Sequence, residues 1–246
     1  MEIIRSEILS RYHQIVYGMS TRNGGMSPGG LGMNLSFNVG DDKVNVIENR
    51  RRFFSALHIG LDELAFPMQC HSANVKTIAM WGGYENCDGL ITGELGVFIA
   101  VSVADCVPIF LFDPVTCAVA GIHAGWRGTS AGIVRNAVSQ MQSEFHVEAH
   151  NLVAFVGPAA GKCCYEVGVD VAQKFDPQFV LDTGDQKWKV DLKGANVNQL
   201  IEAGVRKQNI EQHEGCTIHE SERFHSYRRD GRNSGRMMAV IGIVRT

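Results

Sequence analysis

No apolar run in the 246-residue chain approaches the roughly 18 residues that a membrane-spanning helix requires. Nor is there a surplus of positive charge. Lys and Arg number 23 against 26 Asp and Glu, a formal net charge of −3, so no broad attraction to nucleic acid or to an acidic membrane surface is built in. The opening stretch MEIIRSEILSRYHQIVYG interleaves charged and apolar residues, without the apolar core or cleavage site of a secretory signal. Repeats, low-complexity tracts and linker-like shifts in composition are missing too, which predicts one domain over residues 1–246. There is no Cys-x-x-Cys pair of the kind that marks structural zinc. Seven cysteines is an odd number, in a chain too long to need disulfide staples. These absences predict a cytoplasmic protein with reduced thiols and with no nucleic-acid or membrane partner.

What is present is a chain 45% hydrophobic, enough for one sizeable core. The Gly-rich stretch from Ser20 to Asp42 reads as a long loop, and it lacks the Gly-Lys-Ser/Thr ending of a P-loop. A helix follows, capped by Asp41 or Asp42, with Val44, Ile47, Phe54 and Leu57 on its apolar face. GVFIAVSVADCVPIFLFD and CAVAGIHAG, rich in β-branched and apolar residues, read as buried strands. TSAGIVRNAVSQMQSEF reads as a helix capped by Thr129 or Ser130, with Ile133, Ala137, Val138 and Met141 inward. NLVAFVGPAAG adds a strand, and GRMMAVIGIVRT predicts a last one running to Thr246. Strands dominate among a few long helices. The expected fold class is mixed α/β (α+β), a layered sandwich of mixed β-sheets flanked by helices.

Asp113-Pro114-Val115-Thr116 is a turn signal, and a hairpin centred on Pro114–Val115 sets Cys106 opposite His123. Directly opposed residues share a face with Cβ atoms about 4.5–5.5 Å apart, close enough for a thiolate and an imidazole to hold one ion. A third ligand would come from the Cys70-His71 pair, whose side chains point to opposite faces if the segment is a strand; His is the commoner zinc partner. Gln69 would then share the face of His71. Residue types alone do not separate this scattered set from ordinary core and surface residues. After His123 the chain runs through AGWRGTSAG into a helix start, where backbone N–H groups and Arg127 can hold an anion. A metal corner beside an anion cradle is the pattern of an active site.

ADCVPIFLFD, IHAGWRG, GKCCYEVG and CTIHESERFHSYRRDGRNSGR, with TRNGGMSPGGLGMNLSFNVGDD and NRRRF nearer the start, resemble the laccase-like polyphenol oxidase family. Members of that family are also assigned as purine nucleoside phosphorylases. The resemblance covers nearly the whole chain in order. It implies a zinc site made by His71, Cys106 and His123, and phosphorolysis of adenosine, inosine, guanosine and methylthioadenosine together with deamination of adenosine. It also implies peptidoglycan editing as an alternative function. There an amino-sugar peptide hydrolase would use the same pocket, with Cys106 as a ligand or, metal-free, as a nucleophile activated by His123. The partners implied are a purine nucleoside and phosphate, with a homodimer left open. Cys87, Cys163 and Cys164 are read as packing residues.

A multicopper centre needs histidines mostly in His-x-His pairs; this chain has nine histidines and no such pair, which excludes that mechanism. Copper(II) remains an alternative occupant of the single site, and oxidase activity with bound copper the matching alternative function. Three protein ligands leave the fourth position of a zinc ion open, as in catalytic rather than structural sites. For deamination a carboxylate must shuttle the proton, and Asp88 and Asp105 are the candidates, with Asp105 equally readable as a structural aspartate. Phosphorolysis needs phosphate held beneath an oxocarbenium-like sugar, the work of arginines. Arg127, Arg50, Arg228 and Arg229 are the candidates, with Gln69 as a substrate contact; Arg223, Arg232 and Arg236 complete the basic supply. A metal clamp in an interaction module is the non-enzymatic alternative.

Overall fold

A computed structural model describes residues 1–244. Its strands, in chain order, are β1 Ile3–Ile4, β2 Ile15–Ser20, β3 Leu64–Pro67, β4 Val75–Thr77, β5 Gly82–Tyr84, β6 Gly89–Thr92, β7 Phe98–Val103, β8 Val107–Asp113, β9 Ala118–Ala124, β10 Val153–Val156, β11 Glu166–Val167, β12 Val180–Gly184, β13 Lys187–Val190, β14 Ile210–Gln212 and β15 Met237–Ile243. The α-helices are α1 Lys43–Ser55, α2 Trp126–Ser130, α3 Ile133–Phe145, α4 Val169–Ala172, α5 Leu192–Glu202 and α6 Tyr227–Asp230. Two six-stranded sheets run in the orders β1-β2-β15-β7-β3-β5 and β14-β10-β8-β9-β6-β4, and β11, β13 and β12 form a small third sheet. Both large sheets mix parallel and antiparallel pairs. This is the mixed α+β class with sheets flanked by helices.

Alternation along the strands builds four layers. In β7 and β15 the odd-numbered residues Ile99, Val101, Ala239 and Ile241 face Phe110, Phe112, Val119 and Phe155 of the second sheet. The even-numbered Phe98, Ala100, Met238 and Val240 face outward onto Phe53, Phe54 and Leu57 of the first helical layer. The second sheet turns Ile109, Leu111, Ala120 and Ile122 the other way, onto Ile133, Val134, Ala137, Val138 and Met141 of α3. At Gly121 the sheets leave no room for a side chain, since a Cβ would stand 2.7 Å from Cγ2 of Ile99.

Asp42 caps α1 by accepting from the Val44 backbone N–H. Half of the expected apolar face holds: Phe54 and Leu57 are buried, but Val44 and Ile47 are exposed, and Val46, Asn49 and Phe53 complete the buried stripe. Asn49 counts as polar in a periodicity argument, yet its side chain bonds Met26 N–H, Ser27 Oγ and the carbonyls of Gly32 and Asn34, pinning the long loop to the helix. The helix expected from Thr129 or Ser130 is two helices. Gly132, at φ +81°, ends α2 and starts α3, and neither expected residue caps it. Thr129 Oγ1 instead accepts from the Asn196 amide of α5. The last strand runs Met237–Ile243, and the part of that expectation falling on residues 245–246 lies outside the described residues. Among the described residues no helix is long and apolar enough to cross a membrane.

His225 is 1% exposed, and among the described residues its Nε2 has no partner. Burial, reinforced by the Arg22 charge, pushes its pKa down to about 3. The imidazole is therefore neutral in the folded protein over a range where the unfolded chain, with its ordinary value of 6.5, is protonated. Its contribution to stability is complete above pH 6.5 and is lost as pH falls toward 3, at up to about 1.4 kcal/mol per pH unit. Urea unfolding across that window should give a shallower acid limb for His225→Asn than for the parent. An identical slope in both would refute this assignment.

Candidate functional site

The site forms where the chain changes sheets. β7 belongs to the first sheet and β8 to the second, and only Ala104, Asp105 and Cys106 lie between them. Asp105, at φ +86°, makes that corner in a left-handed conformation that non-glycine residues rarely adopt. A second crossing, from β3 to β4, carries Met68 to Asn74 past the same place, with His71 also left-handed at φ +60°. β9, which ends at Ala124, brings His123 there on the face of its sheet turned toward the first sheet.

The hairpin register differs from the expected one. The ladder pairs Val107 with Ala124 and Pro108 with His123, closing through a four-residue loop, Pro114 to Cys117, in which Cys117 takes φ +58°. The extra loop length moves the partner of His123 from Cys106 to Pro108. This shift is two residues, one full period of the pleat, so Cys106 keeps its face and lies diagonally from His123 rather than opposite.

The ligand atoms of His71, Cys106 and His123 all lie within 4.8 Å of one another, within reach of a single ion. Cys106 Sγ is 4.0 Å from His71 Nε2. Gly125 clears the space: a Cβ there would stand 3.0 Å from Cδ2 of His71 and 3.1 Å from Cys106 Sγ. The Cys70 alternative is closed, because its Sγ turns to Asp88 Oδ2, 3.4 Å away. An imidazole, imidazole and thiolate set with one side facing a cavity fits an open-coordinate zinc, and copper(II) by the same donors.

Asp88 organises this set. It is fully buried and accepts from the backbone N–H groups of Cys70, His71 and Ser72, from Ser72 Oγ, and at 2.8 Å from His123 Nδ1. The last bond fixes the His123 tautomer and leaves Nε2 toward the other two ligands. Burial would raise the Asp88 pKa, but the His123 and Ser72 hydrogen bonds outweigh it and hold the carboxylate well below its usual range. Expected as a proton shuttle, Asp88 is instead absent from the cavity wall, and its geometry is that of a positioning group. Burial also opposes ionisation of Cys106, yet His123 and His71 beside it hold the thiol down at about 6.

The site opens onto a cavity of about 1150 Å³. Arg50, Arg127, Arg228, Asp105 and Gln69 line it. Arg50 lies over the rings of Phe37 and Phe66, its Nε donating to Leu35 O, and burial lowers its pKa to about 10, so it stays charged. Gln69 spends both ends of its amide on the Ser102 backbone, at 2.8 and 2.7 Å. Asp105 accepts from Thr217 Oγ1 at 2.7 Å and from the Arg228 backbone N–H at 2.6 Å, so it anchors α6 against the corner. Arg229 does not reach the cavity. Adjacent residues on a helix point about 100° apart, and its guanidinium donates to the carbonyls of Thr217, Ile218 and Phe224 and to Asp230. In its place the cavity receives Arg236 together with Trp126, Tyr165 and Tyr227. Arg236 was visible only as one member of a basic run, and the aromatic residues carried no spacing signal.

The family described as "Multi-copper polyphenol oxidoreductase laccase" matches residues 16–244. The chain is 36% identical over 245 residues to the purine nucleoside phosphorylase YlmD of Geobacillus stearothermophilus, covering 92% of this chain and 89% of that protein. It is 35% identical over 227 residues to the adenosine deaminase RL5 of an unknown prokaryotic organism, covering 85% and 86%. The crystal structure of YlmD from Geobacillus stearothermophilus superposes with a TM-score of 0.93 at 34% identity, over 100% of this chain and 97% of that one.

Replacing Asp88 by Asn should weaken binding of a divalent metal at the three ligands by about 10–100-fold, since the group that orients His123 and the 70–72 loop is lost. Competition against a chromophoric chelator measures this, and unchanged affinity would show that Asp88 does not position the ligands.

Proposed function

The chain belongs to the multi-copper polyphenol oxidoreductase laccase family, and on that premise we propose that it is a zinc-dependent purine nucleoside phosphorylase that also deaminates adenosine. It is an enzyme, related to proteins named for purine nucleoside phosphorolysis and adenosine deamination. The observation that carries the reading is the composition of the cavity wall. Arg50, Arg127, Arg228 and Arg236 face a space whose one carboxylate, Asp105, is already engaged twice, beside the His71, Cys106 and His123 set. Such a wall attracts a phosphate dianion, and arginine forks match its oxygens. The rings of Phe37, Phe66, Trp126, Tyr165 and Tyr227 each lie under one of these guanidiniums, and with Met68, Ala100 and Met238 they make the apolar wall that a purine would meet. A cavity of about 1150 Å³ is somewhat larger than the usual small-molecule site, which suits a nucleoside and a phosphate together.

A zinc ion held by His71, Cys106 and His123 would supply Lewis-acid charge at one wall of this space. The chain's own residues do the rest. Asp88 holds His123 and His71 in place from behind. Asp105 sets α6 so that Arg228 faces the cavity, and Glu166 O and the Tyr165 ring fix that guanidinium. Arg50, stiffened between two rings, is a preorganised charge that costs little ordering on binding phosphate. Adenosine, inosine, guanosine and methylthioadenosine are the proposed substrates, in the cytoplasm.

The described residues offer two three-ligand clusters, one of them lacking any histidine, which suits single ions and not a coupled copper centre. The test is direct. Zinc-loaded protein with adenosine and phosphate should release adenine and ribose 1-phosphate, and without phosphate it should form inosine. Arg50→Ala should lower kcat/KM for phosphorolysis at least tenfold, chiefly through phosphate. Neither product at full zinc occupancy would end this reading.

A further inference from the structure

Outside the cavity, a second group of soft ligands converges. The Sγ atoms of Cys163, Cys164 and Cys216 lie within 4.8 Å of one another, and none of the three residues lines the active-site cavity. The first two sit in the turn between β10 and β11, and the third follows β14, more than fifty residues on. Their meeting is built by backbone. Ala159 bridges Cys216, the Thr217 N–H donates to Ala159 O at 2.9 Å, and the Gly161 N–H donates to Cys216 Sγ at 3.2 Å. Gly161 also makes the room, since a Cβ there would stand 3.2 Å from both Cys163 Sγ and Cys216 Sγ.

A buried cation lies beside them. Lys193 is 4% exposed, and its Nζ donates to His213 O and Gly215 O, one residue from Cys216. Among the described residues no carboxylate pairs with it at ion-pair distance; Asp191 and Glu214 act only from farther away. A buried ammonium calls for a compensating negative group. Three thiols that exchange their protons for one metal ion leave a net anionic centre in the right place.

We propose that Cys163, Cys164 and Cys216 form a second, all-sulfur site for a soft cation of the copper(I), zinc(II) and cadmium(II) class. Thiolates without nitrogen or oxygen donors select such ions. Binding releases the thiol protons to solvent and changes no oxidation state. A disulfide uses only two of three sulfurs, and Cys163 and Cys164 are chain neighbours, so the geometry favours a shared ion over a bond.

Cadmium(II) titration of the reduced, metal-free full chain tests this through the sulfur-to-metal charge-transfer absorbance. The parent should bind two equivalents, the one at the all-sulfur site with the absorbance of three thiolates. Cys163→Ser/Cys164→Ser, both at the protein surface side of the cluster, should bind one equivalent with the absorbance of a single thiolate and keep the parent melting temperature. His71→Ala/His123→Ala should retain the three-thiolate equivalent. A parent that lacks the three-thiolate equivalent, or a three-thiolate equivalent that survives in the double serine variant, overturns the proposal. So does a reduced protein that binds no second cadmium but loses two free thiols on mild oxidation.

Discussion

A single buried carboxylate holds the functional corner of this protein together. Asp88 accepts six hydrogen bonds, three from consecutive backbone N–H groups, one each from the Cys70 thiol and the Ser72 hydroxyl, and one from the His123 ring. Two chain segments that meet nowhere else in sequence are thereby tied to one atom pair. Removing one partner of a buried, hydrogen-bonded charge typically costs about 3–5 kcal/mol. That cost keeps the loop carrying His71 in a left-handed conformation it would not choose alone.

The layered architecture explains why the corner lies where it does. Two sheets packed face to face leave a gap at their ends, and the chain crosses that gap at residues 104–106 and again at 68–74. Crossing segments need tight turns, so strain and ligands share the same few residues. Asp105 shows the economy of this arrangement: its backbone turns the corner while its side chain fastens α6, and with it Arg228, to the cavity rim. The second sulfur cluster stands at another crossing, where the segment after β10 meets the segment after β14.

Particular residues show how far the chain alone could be read. Cys106 and His123 were placed on one face from a turn signal and a period of two. That survived an error in register because the slip was an even number of residues. The first turns of the α1 face, Val44 and Ile47, were misplaced for the opposite reason, while Phe54 and Leu57 held. Asn49 is buried because it bonds a loop some twenty residues earlier, and no local pattern carries that information. Arg228 and Arg229 look equivalent as a pair. Only the carbonyls around α6 decide that one faces the cavity and the other staples the turn.

Apolar alternation in β7, β8, β9 and β15 determined from sequence alone that buried strands would form a layered core, because burial needs only a matching period. The motif residues likewise determined that an imidazole and thiolate set was available. Which sheet each strand joined, which oxygen Asp88 gave to which donor, and which aromatic rings met the arginines were decided only in the tertiary structure. Those contacts join residues dozens of positions apart, and their free energy depends on mutual distance and burial, which exist only once the chain has folded.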